Sequence, residues 1–225
     1  MNNKIISIVA ADVVDSTSLN VDNIYNLKNI INDTFNDIKA FVSPSLWGRI
    51  VKGDSIECCI KDVKYSLRIA LLLKCKIKAI AGDLVSSAAH KQHGIRFSIG
   101  IGSMRIIDPE MDIMDGEAIY IAGRGLECIS QSDETSYFLM SSNDLDTINL
   151  LQNSIKLIDF IINRLSAKQC SVIYYKLLGM HEKQIGSLIS LTQPGVNNRA
   201  KNGNWNLISE TLNIYENINW ERYVY

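Results

Sequence analysis

Residues Lys4 to Ala11 (KIISIVAA) form an apolar run rich in β-branched side chains. A run this short, with this composition, suits a strand buried on both faces in the middle of a sheet. Asp12 stops it. A central strand needs neighbours on each edge and cover on each face, and the following segments supply them.

Asp22 to Phe41 repeats apolar residues at helical spacing: Ile24, Leu27, Ile30, Ile31, Phe35, Ile38 and Phe41. Asp22 is the expected N-cap. Trp47 to Val51 and Ser55 to Ile60 read as short strands joined by Lys52-Gly53-Asp54, a hairpin. Val63 to Ala81 reads as a second helix, apolar at Leu67, Ala70 and Leu71, with its lysines on another face. Gly82 to Gly94 is small and polar and reads as a loop. Ile95 to Gly102 (IRFSIGIG) is a strand, Asp108 to Asp115 a loop around Pro109, Gly116 to Ile129 a helix, and Ser136 to Met140 a last strand. This β-α-β-β-α-β-α order predicts an α+β fold, with a ferredoxin-like sheet carrying helices, rather than a doubly wound one.

The pattern changes near residue 143. Leu145 to Leu165 is helical and three short helical segments follow. The boundary falls near Ser142 to Asn149. Residues 1–145 are expected to form the sheet-bearing domain and residues 146–225 a small all-α domain.

At 225 residues, 47% of them hydrophobic, the chain can bury such a core. The net charge is −1, so any nucleic-acid contact must be local and strongly salt-sensitive. Five cysteines at irregular spacing, without a CxxC pair, argue against a disulfide framework or structural zinc and fit a reducing cytoplasm. The first apolar run is too short for a membrane anchor, and Lys74, Lys76 and Lys78 interrupt the next, so no membrane partner is expected. His90 and His93 have no third metal ligand nearby in sequence.

Asp12 and Asp54 are the residues that point to chemistry. In a ferredoxin-like sheet the first strand lies beside the hairpin, so the two carboxylates can converge. Two such carboxylates bind Mg²⁺ or Mn²⁺ together with substrate phosphates. Each also has a purely structural reading. Asp12, like Asp15, can cap the turn that follows; Gly53-Asp54 can be only a hairpin turn. Arg124 can pair with Glu117 or Glu127, and Tyr120 can be a packing residue.

Taken in order, ADVVDST (Ala11 to Thr17), GDS (Gly53 to Ser55), RFSIGIG (Arg96 to Gly102) and GEAIYIAGR (Gly116 to Arg124) resemble the motifs of class III adenylyl and guanylyl cyclases. The resemblance covers roughly the first 140 residues. It implies that Asp12 and Asp54 hold the metal and that Arg124 is the transition-state arginine. It implies a nucleotide, a triphosphate or a cyclic form, against Val13, Val14, Asp15, Ser16, Thr17, Lys52, Gly53 and Tyr120. It also implies a homodimer. Two positions depart from the cyclase pattern: Tyr120 stands where the family has asparagine, and Ile50 where it has the base-reading lysine. The chain is similar in layout to SatD-family proteins, a bacterial group whose G-x-A-[FY]-x-x-A-R motif has an aromatic residue four before the arginine, as Tyr120 is to Arg124.

The C-terminal segment begins with a capping box, Ser166 with Gln169. Val172, Ile173 and Leu177 form an apolar face, and Gly179 ends the helix. Lys183 to Ser190 reads as a second helix with Ile185, Leu188 and Ile189 inward. Leu191-Thr192 is the turn and cap, Pro194 sits in the first turn of a third helix, and Val196 packs inward. This spacing resembles the helix-turn-helix of sigma factors and LuxR-type regulators. The resemblance implies a DNA partner for residues 166–204, with Gln193, Asn197 and Asn198 reading bases and Arg199 and Lys201 gripping bases or phosphates. The alternative is a helical packing or dimerisation module without DNA. Two functions therefore stand: a DNA-binding regulator with a degenerate, nucleotide-sensing or dimerising cyclase-like domain, or a metal-dependent nucleotidyl cyclase or related phosphoryl-transfer enzyme.

Overall fold

A computed structural model describes residues 5–51, 53–84 and 87–223, the side chains of 81–84 excepted. The chain opens with strand β1 (Ile6–Val13) and helix α1 (Val21–Phe41). The hairpin β2 (Trp47–Val51) and β3 (Ser55–Ile60) follows, then α2 (Ser66–Leu84) and α3 (Ala88–His93). Next come β4 (Ile95–Gly102), a small hairpin β5 (Met104–Asp108) and β6 (Ile113–Gly116), α4 (Glu117–Ser130) and β7 (Ser136–Met140). The remainder is helical: α5 (Leu145–Asn163), α6 (Ala167–Leu177), α7 (Glu182–Leu188), α8 (Gln193–Asn202) and α9 (Trp205–Glu216).

The main sheet has the order β2-β3-β1-β4-β7. The first four strands are antiparallel and follow the ferredoxin-like β-α-β-β-α-β order; β7 adds in parallel beside β4. The fold is thus α+β, as expected. β1 is the central strand, and side-chain alternation gives its two faces different neighbours. Val9, Ala11 and Val13 enter a core with Leu27, Ile31 and Phe35 of α1 and with α2. Ile6, Ile8 and Ala10 face Ala118 and Ala122 of α4.

Glycine sets how closely α4 approaches the sheet. A Cβ on Gly100 would lie 2.5 Å from the carbonyl oxygen of Ala118 and 2.5 Å from the amide nitrogen of Ala122. The strand glycines therefore make room for a helix backbone. Gly53, at φ +90°, supplies the left-handed turn of the β2–β3 hairpin.

Several expectations shift. β1 runs two residues past the expected Ala11, so Asp12 is its penultimate residue. The cap of α1 is Asn20, whose side chain accepts from the Asn23 amide, rather than Asp22. Residues expected in one loop hold α3, and those around Pro109 hold the β5–β6 hairpin. The lysines of α2 are not all on an outer face: Lys74 and Lys78 are among the most buried side chains, at 0% and 1% exposure.

Lys74 ends in a polar junction. Its Nζ lies 2.5 Å from Asp159 Oδ1 of α5 and donates to the carbonyl of Ile95 at 3.1 Å. Asp159 also accepts from Thr135 and from Asn163 Nδ2 at 3.2 Å. Lys78 donates to the carbonyls of Lys91, Gln92 and Asn163, and burial holds its pKa below the ordinary lysine value.

Beyond this junction, one continuous core crosses residue 145. Ile155, Ile158 and Ile162 of α5, Ile173 and Leu177 of α6, and Ile208 and Leu212 of α9 belong to the same cluster as β1 and α2. Polar contacts cross too: Tyr215 Oη to Ser66 Oγ at 2.6 Å, Tyr174 Oη donating to Asp37 at 2.5 Å, and Arg68 forked onto Glu216 at 2.6 and 3.0 Å. Trp220 and Tyr223 are buried, as the aromatic tail suggests, whereas Tyr225 lies outside the described residues. Among the described residues no helix is long and apolar enough to cross a membrane.

The buried pair yields a test. Asp159→Asn leaves a buried ammonium without its counter-charge, and a loss of about 3–5 kcal/mol in urea unfolding is expected. Adding Lys74→Met restores most of that loss, because the orphaned charge is gone while Thr135 keeps an acceptor at position 159.

Candidate functional site

Strand register brings the first candidate residues together. Asp12 sits opposite Ser55 on one side and Arg96 on the other. Asp54, one residue before Ser55, is in the hairpin turn at the same end of the sheet. The register thus places both residues at one end of the sheet, with Asp12 in the strand and Asp54 in the neighbouring turn.

What occupies the carboxylates differs from expectation. Arg96 lies across the strand from Asp12 and meets both oxygens, Nε to Oδ1 at 3.3 Å and Nη2 to Oδ2 at 2.5 Å. Asp54 Oδ2 accepts from Ser16 Oγ at 2.5 Å. No group of three or more His, Cys, Asp or Glu side chains able to hold a metal occurs among the described residues. A divalent ion at Asp12 would also stand beside a permanent positive charge. Like unit charges repel by about 4 kcal/mol at 4 Å near a protein surface, before doubling for a divalent ion and screening by solvent. In this arrangement the two aspartates do not fit Mg²⁺ or Mn²⁺.

The loop after β1 is tied down by its own contacts. Asp15 adopts the left-handed conformation at φ 54° and accepts from Ser87. Ser16 to Ser18 form a short 3-10 turn. The Val14 amide donates to the carbonyl of Gly94 at 3.0 Å. The Val14 carbonyl faces His90 Nδ1 at 2.7 Å, so that nitrogen carries the proton. Val13 is buried, at 3% exposure. Val13 thus packs in the core, and both backbone groups of Val14 are bonded within the chain. Thr17 is exposed and Ser16 half-buried. Gly53 is half-buried in the turn, and Lys52 lies outside the described residues.

Tyr120 and Arg124 lie on α4. Tyr120 is 55% exposed, so it is not a core residue, and its hydroxyl donates to Asp115. That bond, with help from Arg105, holds the Asp115 carboxyl below its usual range. Arg124 is exposed and bonds to neither Glu117 nor Glu127 among the described residues. Glu117 instead accepts from Ser141 and Ser103. No bond joins Arg124 to Asp12 or Asp54 within the described chain.

Sequence reasoning missed Arg49, Glu57 and Arg96. Glu57 lies opposite both Ala10 and Arg49, so the register sets these charges on the α4 side of the sheet. Arg49 pairs with Glu57 at 2.7 Å, reaches the Asp112 carbonyl at 2.5 Å and stacks over Trp47 at 5.5 Å. The available signal was a charged side chain at an alternating position inside otherwise apolar strands.

The second candidate surface is built by α6, α7 and α8. The Ser166–Gln169 capping box is present, and Thr192 caps α8 by accepting from the Gly195 amide. Val172, Ile185, Val196 and Ala200 close a small core of their own. Leu188, expected inward, is 58% exposed, because α7 ends there and Ile185 alone of its large side chains is fully buried. On α8, Gln193, Asn198 and Lys201 are exposed, and Asn197 and Arg199 half-buried. A shallow groove of about 380 Å³ runs past Gln193, Asn197, Asn198 and Lys201, with Glu182 at its side. Glu182 accepts from Lys176 and from Asn197 Nδ2, both at 3.1 Å, and the lysine's hydrogen bond holds its carboxyl below the usual range.

No protein-family model and no curated protein matches the chain. Among solved structures it is similar to a bacterial light-regulated adenylyl cyclase, at 15% identity over 60% of this chain and 74% of that one, with a TM-score of 0.43. It is similar to the guanylyl cyclase Cya2, at 15% identity over 57% and 73% and a TM-score of 0.38. A Trypanosoma brucei adenylate cyclase in its monomeric state is similar at 14% identity over 55% and 69%, with a TM-score of 0.37.

The close approach of α4 gives a second test. Gly100→Ala places a methyl group against the backbone of α4, and a loss of about 1–3 kcal/mol is expected in thermal or urea unfolding.

Proposed function

We propose that this protein is a DNA-binding regulator whose sheet-bearing part has a cyclase-like layout and serves in nucleotide sensing or dimerisation rather than turnover. The observation that carries the reading is the trihelical unit α6–α8. Its capped third helix buries Val196 and Ala200 and leaves Gln193, Asn198 and Lys201 exposed. A helix held that way can enter a major groove and present amide side chains to base edges. Arg199 and Lys201 are the only basic residues on α8, and Glu182 stands beside it. One copy would bind weakly, so the reading calls for a homodimer acting on paired half-sites. The exposed side-chain amides of Asn198 and Gln193 supply specificity; the two cations supply the salt-dependent part.

Fluorescence anisotropy on DNA selected from random sequence tests this. Lys201→Ala is expected to weaken binding evenly across sequences and to reduce the salt slope by about 1. Asn198→Ala is expected to relax sequence preference at one position by about 1–3 kcal/mol. Absence of any DNA enrichment at low salt contradicts the proposal.

A second reading keeps catalysis: a nucleotidyl cyclase or related phosphoryl-transfer enzyme using Asp12, Asp54 and Arg124. One observation favours it, the register that sets Asp12 opposite Ser55 and hence near Asp54. It requires Arg96 to release Asp12 and a second copy to bring Arg124 to the pair. Pyrophosphate release from a nucleoside triphosphate with Mn²⁺, lost in Asp54→Ala, would establish this reading. No release from any triphosphate removes it.

A further inference from the structure

The structure assigns Arg96 as the resident cation of the Asp12 site, a residue that excludes divalent metal from this end of the sheet. The assignment goes beyond the DNA-binding reading and rests on neither α8 nor turnover.

Three observations carry it. First, the contact is forked: Nε and Nη2 each face a different Asp12 oxygen. A planar guanidinium matches a carboxylate in this way and stays charged at any working pH. Second, the contact is set by backbone pairing. Asp12 and Arg96 are direct cross-strand partners in two central strands, so their Cβ atoms are held about 4.5–5.5 Å apart. No loop has to close to form the pair. Third, the neighbouring acceptor is also engaged. Ser16 donates to Asp54, and the loop carrying Ser16 is anchored by Val14 to Gly94 and His90.

The pair is only partly buried, with side-chain exposures of 35% for Arg96 and 26% for Asp12. Its place at the surface matters for specificity. No hydrogen bond of Arg96 Nη1 occurs among the described residues, so an edge of the guanidinium is left for an anion. An anionic ligand taken here meets an arginine already in place and needs no bound divalent ion. Phosphate oxygens are the acceptors that such an edge fits best.

Mn²⁺ binding, followed by electron paramagnetic resonance and calorimetry on the full chain, decides the matter without reference to catalysis or DNA. The unaltered protein is expected to show no Asp12-dependent Mn²⁺ site at millimolar metal. Arg96→Gln and Arg96→Met are expected to bind Mn²⁺ at least about tenfold more tightly than the unaltered protein, and Asp12→Asn in either background removes that binding. Arg96→Lys, which keeps the charge, is expected not to bind. The assignment is overturned if the unaltered protein takes up one Mn²⁺ that Asp12→Asn abolishes, a result that does not depend on how the neutral variants fold. It is also overturned if Arg96→Gln and Arg96→Met, folded by circular dichroism, bind Mn²⁺ no better than the unaltered protein.

Discussion

Lys74 and Asp159 form the contact on which the arrangement of the molecule turns. Both are almost fully buried, and they come from α2 and α5, on either side of the chain's change in character. Two buried charges lower the free energy of the fold only if each keeps its partner and its hydrogen bonds. Ile95, Thr135 and Asn163 supply those bonds. The pair ties α5 to α2 at one point, while the shared apolar core supplies most of the stabilisation. Specificity of placement and strength of attachment come from different interactions.

The same division appears at the open end of the sheet. Arg49 with Glu57 and Arg96 with Asp12 are cross-strand pairs in half-exposed positions. Pairs of this kind contribute little stability, roughly 0–1 kcal/mol each. Their consequence is chemical: the Asp12 carboxylate is already neutralised by arginine, and the loop after β1 spends Val14 on Gly94 and His90. The surface of α8 is the opposite case, with exposed amide and amine groups and a buried core face of Val196 and Ala200.

Much of this was legible in the sequence. The bounds of β2, β3, β4 and β7 follow from short apolar runs framed by turn residues, and Ser166-x-x-Gln169 marks the start of α6 by local chemistry alone. The misses share one cause. The strand reads as stopping at Ala11 because an unpaired carboxylate favours its end; Arg96, far along the chain, pairs Asp12 and the ladder runs on to Val13. Lys74 and Lys78 read as outward because burial of lysine needs partners, and Asp159 and the carbonyls of Lys91, Gln92 and Asn163 are remote in sequence. The β5–β6 hairpin escaped because its strands are short and charged, and the contact from Arg49 to Asp112 that anchors its tip is long-range. Local pattern reveals elements; it does not reveal which charges will meet.

The account's central claim is that sheet and trailing helices are one cooperative body, with the Lys74–Asp159 junction inside it. Native-state hydrogen exchange as a function of denaturant measures this directly. The slowest amides of β1 and α2 and those of α5, α6 and α9 are predicted to converge on a single opening free energy and a single denaturant slope. Trailing helices that open at a distinctly lower free energy, while the sheet stays protected, would contradict it.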